Sequence, residues 1–291
     1  MSGGMTFRKN SSFEAGGWIV PVTPRLPAPT TKHTTPSVIS SGIMTPEDFF
    51  HHVFEFLPRQ GPGCTGATQK AFSFLPALPK DAKVLDIGCG SGAQTRDLAE
   101  LTTGTITAVD IYQPFLDFIT ARDGYGNLSA PIRTVCAPMD NLPFADGEFD
   151  LIWSEGAIFI IGFAKGLRAW KRFVKEGGFI VVSDAAWFEP DPPLELVDWW
   201  AGLGDVPATE DQLREQVKEA GLRLMATYRL PEAGWRDNYY VPMEARIAEL
   251  RKSHGADPAH AAVLDAFEKE IEMYRQYSRY YGYTFFVMQN P

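Results

Sequence analysis

Gly88, Gly90 and Gly92 stand at every second position in Val84-Leu85-Asp86-Ile87-Gly88-Cys89-Gly90-Ser91-Gly92, just after the acid Asp86. Glycine takes positive φ without a Cβ penalty, so three of them let a backbone turn tightly and lie flat against a ligand. A helix that starts at such a loop aims free N–H groups and the positive end of its dipole at the same ligand. The spacing is G-x-G-x-G, not the G-x-G-x-x-G of dinucleotide loops. Asp86 beside the loop would repel a pyrophosphate and suits a positive group, such as the ammonium of an amino acid. A second acid, Asp110, closes the run Thr105-Ile106-Thr107-Ala108-Val109, where a carboxylate can accept both hydroxyls of a ribose. The ligand so described has a ribose, a cationic end and no phosphate.

Both acids need strand ends that lie side by side, and the chain supplies the elements for this. Short apolar runs at 83–87, 105–110, 132–136, 149–153 and 178–184 alternate with helical patterns at 93–101, 113–121 and 164–173. Near-continuously apolar strands alternating with helices predict a parallel sheet covered on both faces. Ahead of it, Thr45-Pro46-Glu47-Asp48 reads as an N-cap, a first-turn proline and first-turn acids. Phe49, Phe50, Val53, Phe54 and Leu57 follow at helical spacing, and a second helix is expected over 68–75. Beyond the fifth strand the pattern predicts a helix at 210–220, a strand at 222–230, helices at 241–254 and 259–280, and a closing strand at 283–288. A helical insertion over about 232–280 therefore separates the last two strands.

The chain has 291 residues and 45% hydrophobic content, enough for one elaborated domain with a sizeable core. Its formal charge of −9 argues against nucleic acid as the main partner. Cys64, Cys89 and Cys136 are widely spaced, with no CxxC pair, which predicts a reducing compartment, no disulfide framework and no metal site. No apolar run approaches the ~18 residues of a membrane span, and no signal-peptide pattern opens the chain. A cytoplasmic location is expected, with no membrane partner and a homo-oligomer left open. Residues 1–43 are rich in Ser, Thr, Pro and Gly, with Glu14 their only acid, and are expected to form a disordered or loosely packed tail. A transit peptide and a translation start at Met44 are the other readings of it. Residues 44–291 would then form the folded domain, with 45–63 as a helical cap.

The ligand described above is S-adenosylmethionine, and at this point the chain resembles the class I S-adenosylmethionine-dependent methyltransferases, most closely a bacterial small-molecule subgroup. Residues 84–92 look like their first motif and Ala108-Val109-Asp110 like their second. Met139-Asp140-Asn141-Leu142-Pro143-Phe144 resembles their adenine-contacting turn, and Arg172 to Phe179 the turn into their fifth strand. Phe56-Leu57-Pro58-Arg59-Gln60-Gly61-Pro62-Gly63, Trp153-Ser154-Glu155-Gly156-Ala157 and Tyr280-Tyr281-Gly282-Tyr283 carry the likeness to the subgroup. The resemblance implies a Rossmann-like α/β sheet, mostly parallel with its last strand antiparallel, helices on both faces and a helical lid insertion. It implies that Asp86, Gly88 and Gly90 hold the methionine part. Asp110, with Ile111 beside it, would hold the ribose; Met139 and Asp140 would face the adenine, and Arg59 would close over the cofactor carboxylate. Asp140 reads equally as a turn-capping residue.

Methyl transfer is an in-line displacement that asks for alignment and desolvation, and an oxygen or a protonated amine also needs a base. Glu155, at the carboxyl edge of the sheet, is the candidate catalytic carboxylate; a purely structural acid is the alternative. Trp187, Phe159 and Tyr239 are candidate walls of an acceptor pocket, where aromatic rings hold cations, with core packing as the bland reading. The expected function is methyl transfer to a nitrogen or sulfur of a small molecule. A C-methyltransferase on a hydrophobic natural product and a non-catalytic S-adenosylmethionine-binding regulator are the rivals.

Overall fold

The computed structural model describes residues 44–121 and 129–291. The expected tail over 1–43 lies outside the described residues. The first strand, β1 (Lys83–Ile87), has four consecutive buried residues because both its faces are covered. It runs parallel to β2 (Thr105–Asp110) on one side and to β4 (Phe149–Glu155) on the other. β3 (Ile132–Cys136) extends the sheet beyond β2, and β5 (Val174–Trp187) lies beyond β4. The order is β3-β2-β1-β4-β5-β8-β7, in which β8 (Tyr281–Gln289) runs antiparallel to both β5 and β7 (Arg223–Arg229). The two-residue β6 (Ala208–Thr209) pairs with the end of β5.

Alternate strand residues feed two core layers, as a period of two requires. Val84, Trp153, Val181 and Phe285 enter one layer with Phe49, Phe267 and Ile271. Leu85, Ile152, Ile180 and Phe286 enter the other with Leu167, Trp170 and Val217. The second layer is covered by α5 (Phe163–Trp170) and α7 (Glu210–Glu219), the latter started by a capping box in which Thr209 and Gln212 bond each other's backbone.

The first layer is closed by an N-terminal helix, α1 (Pro46–Phe54), packed on the insertion. Thr45 caps α1 by accepting from Asp48 N, as its sequence requires. The insertion consists of α8 (Glu232–Trp235), a π-helical turn Arg236–Tyr240, α9 (Val241–His254) and α10 (Pro258–Tyr277). Arg246 of α9 donates to His52 O at 3.0 Å, and His260 of α10 lies 3.0 Å from Met44 O. N-terminal cap and insertion are thus one layer, although almost two hundred residues separate them.

Three departures from expectation have local causes. α2 (Thr65–Phe72) starts earlier than 68 because Ala67 and Thr68 N–H groups already reach Cys64 O. β5 is longer than 178–184, since Val174 already pairs with Phe149 of β4 and Ala185 to Trp187 stay paired with β8. A helix α6 (Leu194–Gly202) stands where none was expected; its start at Pro193 has no side-chain cap to announce it.

Candidate cofactor and acceptor site

The glycine loop leaves β1 as its composition demands. Gly88, Gly90 and Gly92 have φ of 72°, 53° and 87°, a region that L side chains rarely enter. A Cβ on Gly88 would stand 2.5 Å from the Ala157 Cβ, and one on Gly90 would stand 2.5 Å from Gln60 Oε1. Gly92 is the N-cap of α3 (Ala93–Leu101), so the loop opens onto a helix N-terminus. The loop is pinned to β2: Gly88 N and Cys89 N donate to Val109 O, and Gly90 N donates to Asp110 Oδ2 at 2.9 Å. Asp110 Oδ1 accepts from Tyr112 N at 2.9 Å. Burial pushes the Asp110 carboxyl up, against these backbone bonds and the His51 ring, which hold it down. Ile111 beside it is 59% exposed, and Met139 is half-buried with its Cε 3.7 Å from a Cβ placed on Gly88. Asp140 is exposed in the turn after β3. Asp110 and Met139 therefore stand against the loop, with Ile111 and Asp140 beside them in sequence.

Asp86 differs from its expectation. It is fully buried and accepts from Thr95 Oγ1 at 2.6 Å and from Gln94 Nε2 at 3.4 Å. Burial is the main cause that lifts its pKa to about 7. Its carboxyl is held by these two α3 side chains, which ties the helix start to β1. The cause is its strand position: Asp86 lies inside β1, where both faces are covered.

Arg59 and Glu155 are also placed together rather than apart. Arg59 Nη2 donates to Glu155 Oε2 at 2.6 Å, and Nη1 lies 3.9 Å from Asp97 Oδ2. Glu155 Oε1 accepts from Thr68 Oγ1 at 2.7 Å and from Trp153 Nε1 at 2.9 Å. Gly63 makes room for the guanidinium, since a Cβ there would lie 2.5 Å from Nη2. Glu155 has both oxygens engaged, which is the geometry of an anchor. The neighbouring Gln60 was missed by sequence reasoning: it accepts from Ser91 N at 2.7 Å and so covers the glycine loop. The signal was its place inside the quoted motif Phe56 to Gly63. One cation, Arg59, thus faces the buried acids Glu155, Asp97 and Asp86, with burial lifting Asp97 to about 6. Such a cluster favours a positive guest.

Aromatic rings crowd the next stretch of sheet edge. A Cβ on Gly156, directly after Glu155, would lie 2.7 Å from the Tyr283 ring. The Tyr283 ring centroid is 4.7 Å from that of Trp235, which stacks on Tyr274 at 4.6 Å. Trp187 ends β5 with its edge towards Trp200 and Tyr281, at 6.4 and 6.2 Å. Tyr239 is buried 5.0 Å from Tyr240, and burial and Glu270 push its hydroxyl far up. Trp187 and Tyr239 therefore belong to the aromatic group. Phe159 does not: it is half-buried in the short helix Ile158–Ile160 and makes no ring contact with that group among the described residues. Two buried acids went unpredicted. Asp184 of β5 is lifted by burial to about 8, and Glu270 of α10 to about 7.

Residues 85–182 match the family model described as a methyltransferase domain. Over 223 residues the chain is 25% identical to a Bacillus subtilis protein named uncharacterized methyltransferase YodH, covering 76% of this chain and 90% of that one. It is 22% identical over 144 residues to O-methyltransferase cnsE of Penicillium expansum, covering 49% of this chain and 52% of that one. Among solved structures, a Geobacter sulfurreducens S-adenosylmethionine-dependent methyltransferase in complex with S-adenosylhomocysteine superposes with a TM-score of 0.70 at 19% identity, over 82% of this chain and 96% of that one. The fold, the loop and these matches define a Rossmann-like methyl-transfer enzyme. Residues 85–182 belong to the methyltransferase-domain family, and the chain as a whole is similar to class I S-adenosylmethionine-dependent methyltransferases.

Proposed function

We propose that this protein transfers a methyl group to a nitrogen or sulfur of a small acceptor, and that the glycine loop and the aromatic group are its two half-sites. The carrying observation is their shared wall. Gly88 is held against Ala157, and Gly156, one residue before it, lies against Tyr283. A cradle at the loop and a guest among the rings would meet across that β4 end.

The residues present fit S-adenosylmethionine: a Cβ at Gly88 or Gly90 would fill the cradle, and one rim carboxylate, Asp110, stands at the second strand's end. That cofactor, when bound, supplies a methyl group on a positively charged sulfur. Asp110 would take the ribose hydroxyls, Gly88 and Gly90 the methionine part, and Ile111, Met139 and Asp140 the adenine. The acids around Arg59 favour the positive charge in the ground state. The buried rings exclude water, which strengthens every electrostatic contact within the site. Arg59, held by Glu155, positions the loop 59–63 over the cradle, so Glu155 is a positioning residue. Kinship leaves the acceptor atom open, since the Penicillium relative is named an O-methyltransferase. Nitrogen or sulfur is preferred here because the acids nearby suit a cation, whether an ammonium or a sulfonium product.

Calorimetry with S-adenosylhomocysteine tests the first half-site, and binding is expected in the micromolar range. A labelled-methyl screen of amines, thiols and thioethers tests the second. Turnover confined to alcohols or phenols would refute the nitrogen-or-sulfur reading.

A further inference from the structure

Glu270 is a buried acid outside the glycine-loop site. It lies on α10 in the register of Phe267, Ile271 and Tyr274, the buried face of that helix. Its Oε1 accepts from the Tyr240 hydroxyl at 3.1 Å, while its Oε2 is buried without a hydrogen-bond partner. The Tyr240 bond is the only interaction that offsets its burial, and no arginine or lysine acts on it. The Tyr281 hydroxyl and Trp235 Nε1 are likewise buried and unpartnered. Glu270 bonds Tyr240 and lies near enough to raise the hydroxyls of Tyr239, Tyr281 and Tyr283 as well. Trp235 packs against three of the same rings, at 6.0 Å from Tyr240, 6.1 Å from Tyr281 and 4.7 Å from Tyr283.

An unpaired carboxylate oxygen inside a protein is costly unless a cation or donor answers it. Ring faces carry negative charge and attract cations, most strongly on tryptophan. Rings and carboxylate together describe a receptor for an organic cation. Tyr283 joins this receptor to Gly156 and hence to the cofactor side.

We propose that the Glu270 cluster, lined by Trp235, Tyr239, Tyr240, Tyr281 and Tyr283, binds an alkylammonium group and makes a small amine the acceptor class of this enzyme; Glu270 would take the ammonium proton, since only the free amine has a lone pair for a methyl group. The inference rests on the methyl-transfer reading above and narrows it from nitrogen or sulfur to an amine that is bound as its cation and methylated as its free base. Glu270 sets specificity as the counter-ion, and the rings give the selectivity for charge over size.

The test reads binding rather than turnover. Tryptophan fluorescence of the full chain is titrated with trimethylammonium chloride and choline chloride against sodium chloride, with S-adenosylhomocysteine present. The neutral isostere 3,3-dimethylbutanol is titrated in parallel. Saturable quenching by at least one ammonium probe, about tenfold tighter than the neutral isostere, is expected. Glu270→Gln keeps the shape and the Tyr240 bond and is expected to weaken the ammonium probe about tenfold while leaving S-adenosylhomocysteine affinity unchanged. Equal binding of the neutral isostere, no saturation with either cation, or full ammonium affinity in a folded Glu270→Gln protein overturns the proposal. If Glu270→Gln fails to fold, the wild-type comparison of charged and neutral probes decides alone. Loss of the ammonium effect with S-adenosylhomocysteine binding intact refutes only this inference; absence of S-adenosylhomocysteine binding refutes the reading beneath it.

Discussion

Asp110 and Glu155 separate two kinds of carboxylate. Asp110 accepts from two backbone N–H groups and still borders the exposed cradle. Asp110→Asn is expected to weaken S-adenosylhomocysteine about tenfold or more, read by calorimetry, because an amide offers one acceptor where the carboxylate offers two. Glu155 meets three donors and no opening. Glu155→Gln leaves Arg59 buried with only a distant acid, a change worth about 3 kcal/mol in comparable pairs. Its signature is a lowered melting temperature and an equal loss of turnover on amines and thiols; a loss confined to amines would restore the base role. The buried acids also set a pH trend. Asp86, Asp184 and Glu270 have folded-state values raised to about 7, 8 and 7. A raised acid is more protonated folded than unfolded, so stability falls as pH climbs from about 4 to about 8 and levels off above. Asp184→Asn keeps the Ala185 N–H acceptor and is expected to flatten that slope, gaining a few kcal/mol at pH 8 relative to wild type in denaturant titrations.

Among the elements, α1 and the loop after it form the cover over the cofactor half-site. They join at Phe56, whose φ of 67° is a strained value for a bulky residue. Phe56 is 81% exposed, with the Arg246 guanidinium 5.6 Å from its ring. Phe56→Gly is expected to raise stability by up to about 1 kcal/mol by relieving strain, whereas Phe56→Ala keeps the strain, loses the ring and destabilises. Denaturant midpoints of the two variants decide by their opposite signs. Elements were largely legible from pattern: β1, β2, β3, α3, α4 (Gln113–Ala121) and α9 lie where apolar runs and caps put them. α6 was not, because tryptophans and leucines occupy several of its faces and no polar cap precedes it. In the site, the glycine loop and Asp110 were legible because one local motif builds each. Glu270, Asp184 and the Arg59–Glu155 pair were not, since their partners lie on elements far off in sequence. The one local trace of Glu270 was a carboxylate in an apolar helical register.

At the scale of the molecule, the two half-sites grow from different parts of the chain. The glycine loop itself is built from β1, β2 and α3, contiguous in sequence, with Gln60, Met139 and Ala157 brought to it from flanking turns. The acceptor side needs α8, α10 and β8, joined through Tyr283 to the end of β4. Among the described residues no helix is long and apolar enough to cross a membrane. The antiparallel β8 sits between β5 and β7 and carries Tyr281 and Tyr283. On the ribosome, β5 and β7 emerge well before it, each with a bare edge waiting for a strand that follows the whole insertion. Nascent chains in that interval offer an open template for pairing with one another. They carry the glycine loop but not the rings of Tyr281 and Tyr283. Synthesis thus delivers the glycine-loop half of the site well before the ring half, and the cover formed by α1 gains its own partners, α9 and α10, only when the insertion has emerged.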